Sequence, residues 1–198
     1  MKFRKRKAPG FTLVELLTVS AIMSIIILSV LALYSSSQRY FITESARAEM
    51  LHDSKQVLSW TSRDIKEGIE VLPSWGSYTT SNNCLVLKIP SVDANGVITN
   101  IESDFDYIIY RLNPSNPHRL ERIVDAKDGV SSRADSSKVI AERVDSFMLR
   151  SEGVELSSVT DLSQVSIVDV ALLTQQTIFG KTHHETLRTE VKLRNKQD

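Results

Sequence analysis

The sequence predicts an α+β protein: one long N-terminal helix, half apolar and half amphipathic, packed on an antiparallel β-sheet head. Three observations predict it. Residues 16–33 form an uncharged run of 18 residues. Residues 35–67 contain neither Gly nor Pro. From residue 84 onward, short apolar and alternating runs are separated by turn-rich segments, the pattern of strands that follow a helix. The chain has 198 residues, a prior of one domain with an appendage. Its 24 basic side chains balance 24 acidic ones, which argues against a basic protein that coats nucleic acid. Hydrophobic residues at 41% and charged residues at 24% fit a folded chain. A single cysteine, Cys84, excludes an intrachain disulfide and a Cys-rich zinc site.

The first ten residues hold five basic side chains, Lys2, Arg4, Lys5, Arg6 and Lys7, and no acidic one. Of the 24 basic residues, 19 remain beyond residue 10 against 24 acidic, so a basic leader joins a body of net charge −5. Between residues 11 and 38 the one charged side chain is Glu15. The apolar run is near the minimum for a spanning helix of about 17–25 residues. The positive-inside rule keeps its basic flank cytoplasmic and puts everything after about residue 35 outside. A cleaved secretory signal would have a shorter apolar core and a small-x-small site, which YSSSQRYF matches poorly. A plain signal anchor fits length and charge but leaves Glu15 without a role. A carboxylate at mid-membrane costs roughly 2.5–3.5 kcal/mol.

The segment KAPG-FTLVELL resembles the processing motif of type IV prepilins and type II secretion pseudopilins, in its basic leader and in Gly10, Phe11, Thr12, Leu13 and Glu15. The resemblance implies cleavage after Gly10 by a membrane aspartyl prepilin peptidase on the cytoplasmic face. It implies methylation of the new N-terminus, Phe11, by the same enzyme with S-adenosylmethionine. Glu15 becomes the fifth residue of the mature chain and serves assembly, opposite the N-terminal amine of a neighbouring subunit. A buried carboxylate needs such a cationic partner. Many main fibre subunits carry a proline within this apolar segment, whereas here there is none between Pro9 and Pro73. That departure favours a minor subunit. Ser20 and Ser24 form a small-xxx-small pair that could let helices approach closely.

Beyond the membrane edge, Met50 and Val57 are spaced by seven, as are Leu51, Leu58 and Ile65, with Ile69 four further on. This is an apolar stripe at helical spacing. Arg47, Glu49, Asp53, Lys55, Arg63 and Asp64 are expected on a solvated face. Gly68 is a plausible terminator and Pro73 a firm stop. A helix over about 12–68 would be roughly 85 Å long. The stripe suits either a coiled coil or packing on the chain's own sheet; its span under three heptads favours the sheet. The expected organisation is a leader at 1–10, a transmembrane and assembly half-helix at 11–34, an amphipathic half at 35–70 and a β-rich head at 71–198.

In the head, residues 70–83 read as a connecting loop. Residues 84–90 read as a strand, with an Asn95-Gly96 turn and residues 97–101 able to pair back as a hairpin. Residues 107–112 are rich in aromatic and β-branched side chains, a strand signal. Residues 113–117 are a turn and 119–124 the return. Residues 125–137 are loop-like, 139–150 fit a strand or a short helix, and 151–163 are polar. Residues 165–173 form a strand buried on both faces or nearly so, 179–185 a turn, and 186–193 a closing strand. The order of these segments loosely resembles the J-type minor pseudopilins and their minor-pilin counterparts, which implies the lollipop architecture of pilins.

No catalytic or cofactor motif is present: no HExxH, GxSxG, P-loop or GxGxxG. His52 is expected on the helix's solvated face, and His183 and His184 in a turn. As adjacent residues they are ill placed to share an ion. Asp125 and Asp128 lack EF-hand spacing and suit an ordinary turn. Cys84 reads as a buried apolar residue. With an acidic body and no interleaved basic and aromatic cluster, no nucleic-acid partner is expected. The sequence therefore points to a non-enzymatic minor pilin or pseudopilin without catalytic residues, metal or cofactor. Its partners are prepilin peptidase, other filament subunits and the inner membrane. The alternative is a membrane-anchored periplasmic binding module or enzyme that does not polymerise.

Overall fold

Nothing between Leu13 and Glu67 interrupts a helix, and in a computed structural model that describes residues 12–100 and 102–193, α1 spans Leu13–Glu67. Gly68 follows at once; its N–H bonds to the Ile65 carbonyl at 3.0 Å, where an added Cβ would also crowd that oxygen. The chain divides into two compact units, Met1–Ser45 and Ala46–Asp198. The described part of the first is α1 alone, with its apolar side chains from Leu13 to Leu33 exposed.

The second unit holds the rest of α1 and eleven strands among the described residues. They are β1 (Glu70–Val71), β2 (Ser74–Trp75), β3 (Tyr78–Thr79), β4 (Cys84–Pro90), β5 (Phe105–Asn113) and β6 (Asn116–Asp125). Then come β7 (Ser136–Ala141), β8 (Val144–Ser151), β9 (Val154–Glu155), β10 (Ile167–Ile178) and β11 (Lys181–Lys192). All pair antiparallel, in a five-stranded sheet ordered β1-β4-β5-β6-β7, a four-stranded sheet ordered β11-β10-β8-β9, and a β2-β3 ribbon. One core joins α1 to both large sheets: Val57, Leu58 and Ile65 pack with Leu85, Leu87, Tyr110, Phe147, Val170 and Leu172, among others. Each such aliphatic side chain contributes about 1.5–3 kcal/mol by leaving water.

Several local expectations change. The loop expected at 70–83 contains β1 and the β2-β3 ribbon. Of residues 97–101, the described residues 97–100 pair back on the chain before the turn only through one bridge, Val92 to Ile98, and form no strand. β4 instead pairs with β5, from Cys84 opposite Arg111 to Pro90 opposite Phe105. The β-branched and aromatic face of β5, nine residues long, offers a longer apolar partner than the short Val97-Ile98 pair after Gly96. Residues 139–150 form two strands, separated at Arg143, whose φ is +62°. Phe179 and Gly180, both with positive φ (49° and 76°), make the two-residue turn between β10 and β11. A bulky residue in that conformation hides the turn from sequence. It moves the turn earlier and places His183 and His184 inside β11.

The buried stripe of α1 is also more polar than expected. Ser54, Thr61 and Asp64 are buried beside Met50, Val57, Leu58 and Ile65. Ser54 Oγ lies 3.3 Å from Thr174 Oγ1 on β10, and the Thr61 hydroxyl donates to the Val57 carbonyl. Asp64, expected on the solvated face, is instead an anchor. Its Oδ2 accepts from the Tyr110 hydroxyl at 2.5 Å and from Arg122 Nε at 2.7 Å. Burial, and the adjacent Asp64 charge, push the Tyr110 hydroxyl pKa far above its ordinary value. Tyr110→Phe removes one of the two donors while keeping the ring. We expect a loss of about 1–2 kcal/mol in denaturant unfolding, with the helix content of the native baseline unchanged.

A second buried carboxylate fastens the 125–137 loop. Asp106 is fully buried on β5. It accepts from Ser91 Oγ (2.7 Å), Lys127 N–H (2.9 Å), Ser131 Oγ (2.7 Å) and Arg133 Nη1 (2.7 Å). Burial alone would raise its pKa; the bonds from Lys127, Ser131, Arg133 and Ser91 outweigh burial and hold it below the ordinary aspartate value. A depressed folded pKa means this contribution is fully present above the ordinary aspartate pKa and is lost as pH falls through the folded value. Unfolding midpoints measured on a descending pH series should therefore drop in that acid range. In Asp106→Asn the drop should flatten, and stability at neutral pH should fall by about 3 kcal/mol.

Candidate functional site

Chemistry at the start of α1 begins with helix termini. The first four N–H groups of a helix lack intrahelical partners, a serious cost where the surroundings are apolar. Here Thr12 is the N-cap residue and Glu15 the third helical residue. Glu15 Oε2 accepts from the Thr12 N–H and from the Thr12 hydroxyl, both at 2.9 Å. The Glu15 N–H donates back to Thr12 Oγ1 at 3.3 Å. This reciprocal arrangement is a capping box. Its signature, a Thr three residues before a Glu at the head of an apolar run, stands in the sequence, but attention to the carboxylate's charge alone passes over it. No bond to Glu15 Oε1 is present among the described residues, and the side chain is exposed. The carboxylate is thus oriented by Thr12 with one oxygen open to a further donor.

Gly10 and Phe11 lie outside the described residues. From Leu13 onward the apolar face is continuous. The hydroxyls within it are satisfied by their own helix: Thr18 donates to the Glu15 carbonyl, Ser20 to Leu17, Ser24 to Ser20, Ser29 to Ile25 and Ser35 to Leu31. Each hydroxyl is thereby compatible with hydrocarbon. α1 is long and apolar enough to cross a membrane. Tyr34, Tyr40 and Phe41 follow the apolar run and are exposed, the placement of an interfacial aromatic belt. That aromatic trio is a second signal readable in the sequence and overlooked there.

The head's candidate groups do not assemble into a catalytic constellation. His52 is exposed on α1, and His118 Nδ1 lies 2.9 Å from the Val144 carbonyl. His183 and His184 are neighbours on β11, facing opposite sides of the strand. Asp125 accepts from Trp75 Nε1 at 2.6 Å. Trp75 stacks on Tyr107 with ring centroids 3.4 Å apart. Cys84 is half-buried, and burial pushes its thiol pKa up to about 11, away from thiolate reactivity. Among the described residues no group of three or more His, Cys, Asp or Glu could hold a metal ion.

Residues 5–31 match the family model of the prokaryotic N-terminal methylation motif. No curated protein and no solved structure matches the chain. The matched segment covers the latter part of the basic leader, the junction at residues 10 and 11, the Thr12–Glu15 capping box and most of the apolar run. The chain therefore carries the signal of a type IV pilin- or pseudopilin-like precursor.

The capping box has its own signature. Thr12→Ala removes the hydroxyl that accepts from Glu15 N–H and costs about 1 kcal/mol at the helix end. Amide hydrogen exchange should speed several-fold at residues 13–16, while the unfolding midpoint of the head stays unchanged.

Proposed function

We propose that this chain is the precursor of a minor pilin or pseudopilin, a non-enzymatic structural subunit of a type IV pilus or type II secretion filament. The reading rests on one coincidence. The methylation motif ends in a helix whose first turn holds an oriented carboxylate, and whose next turns are apolar on every side. In this reading the basic leader stays at the cytoplasmic face of the inner membrane, and the head lies on the periplasmic side. Prepilin peptidase cleaves between Gly10 and Phe11. The freed α-amine of Phe11 takes a methyl group from S-adenosylmethionine.

Glu15 then sets register in the filament. In the membrane its carboxylate is occupied by Thr12, which lowers the cost of keeping it among lipid. On assembly the open Oε1 meets the ammonium group at the N-terminus of an adjacent subunit, and the pair is buried together between helices. The apolar sides of neighbouring α1 helices replace lipid by packing, with Ser20 and Ser24 as points of close approach. The absence of proline in this segment suits a minor position rather than the main fibre. Partners are prepilin peptidase and other filament subunits, with a separate ATPase driving extraction. The acidic body argues against nucleic acid as a partner.

Intact-mass analysis of membranes from cells with and without prepilin peptidase tests this directly. The expected species begins at Phe11 with one added methyl group, and only where the peptidase is present. Glu15→Ala should leave processing and head stability unchanged and reduce incorporation into filaments at least tenfold. A leader that persists in both strains, or full incorporation of Glu15→Ala, would instead favour a tethered module that never polymerises.

A further inference from the structure

The five-stranded sheet ends on β7, whose outer edge has no strand beside it among the described residues. Side chains of α1 and of β7 together line a cavity of about 240 Å3 at the same margin. Ser136, Lys138 and Ile140, alternate residues on one face of β7, form one wall; Trp60 and Arg63 of α1 form the other. The four residues Ser136–Val139 are exposed. Backbone bonds join β7 to β6 from Val124 opposite Ser136 to Leu120 opposite Ala141. No backbone bond on its other side is present among the described residues. An edge of this kind is a template for another extended chain.

The charge around the cavity selects the occupant. Arg63 is largely exposed, and among the described residues its ion pair is a loose 3.6 Å contact with Glu67 one turn on. Such a surface pair is worth little and releases easily. Lys138 projects over the Trp60 ring, its ammonium 5.3 Å from the centroid. Arg122 at the floor is spent on Asp64, which neutralises the one carboxylate lining the cavity. Two cations are thus left facing the opening, beside an aromatic ring and an isoleucine. We propose that β7 is a docking edge for an extended, acidic segment of a partner protein. That segment adds antiparallel or parallel to β7, with its carboxylates against Arg63 and Lys138 and an apolar side chain between Trp60 and Ile140. Lys138 also disfavours pairing of β7 with its own copy, because like charges would meet across the new ladder. The surface lies within the second unit and does not depend on how the N-terminus is processed.

The test uses the full chain in nonionic detergent and a synthetic peptide, acetyl-Glu-Thr-Val-Thr-Glu-amide, whose Glu and Val side chains share one face of an extended strand. The readout is residue-resolved amide hydrogen exchange. The expected result is saturable slowing of exchange confined to residues 136–141 and weakened by added salt. Arg63→Glu and Lys138→Glu should each raise the half-saturating concentration by about tenfold. Both side chains are exposed, and unchanged unfolding midpoints would show that neither variant is misfolded. The proposal is overturned if the peptide slows no exchange at 136–141, or if the charge-reversed variants bind equally well. Equal protection by the lysine-for-glutamate peptide, or by polyphosphate, overturns it too. So does protection that grows with protein concentration without peptide, which would assign the edge to a second copy of the chain.

Discussion

One oxygen atom sets how the head is put together. Asp64 Oδ2 receives both the Tyr110 hydroxyl and the Arg122 guanidinium, from adjacent strands β5 and β6. A buried carboxylate without such donors would be far more costly than any single apolar contact is favourable. α1 can therefore meet the five-stranded sheet in one rotation and one height only. Ser54 against Thr174 makes the corresponding contact to the four-stranded sheet, and Arg47–Glu185 and Arg143–Glu49 flank it at the surface. Apolar burial supplies most of the attraction between the layers, but it is non-directional. The polar contacts choose which of several similar packings is populated.

The same helix answers a different requirement before Ser45. There the apolar side chains are all exposed, and the backbone and hydroxyls must satisfy one another without help from a partner. The capping box at Thr12–Glu15 and the row of Ser and Thr hydroxyls bonded one turn back meet that requirement. Both devices keep the helix self-sufficient in apolar surroundings. In the proposed function Glu15, costly for a permanent anchor, suits a subunit that leaves the membrane and recognises a neighbour.

Within the head, the two sheets are treated differently at their edges. The long edge strand β11 alternates charged and polar side chains along its exposed positions, which discourages casual pairing. β7 is short, yet its exposed edge opens on a cleft with an unbalanced positive charge. The loop that leads into β7 is not free either: Arg133 reaches the Pro90 carbonyl, Asp106 and Glu67, tying it to the sheet and to the end of α1. A fixed approach and an open edge together make a surface suited to recognition rather than a frayed margin.

The sequence by itself determined whatever depends on local spacing. Uncharged length defined the apolar half of α1, and the absence of Gly and Pro carried the helix to Glu67. Asn95-Gly96 marked a turn, and β-branched runs marked β4, β5, β6 and β10. The motif around Gly10, Phe11 and Glu15 was legible because it lies in one short contiguous stretch, within the residues 5–31 that match the methylation-motif model. Tertiary structure alone decided whatever depends on groups far apart in the chain. Asp64 looks like one more surface charge until Tyr110 and Arg122, 46 and 58 residues away, are brought to it. Asp106 looks like a polar strand residue until the 125–137 loop folds over it. Phe179 conceals a turn that needs positive φ and suits glycine. The division of strands between two sheets, and the open edge at β7, follow from which apolar faces bury best against α1. Burial is a property of the assembled core and of no single segment within it.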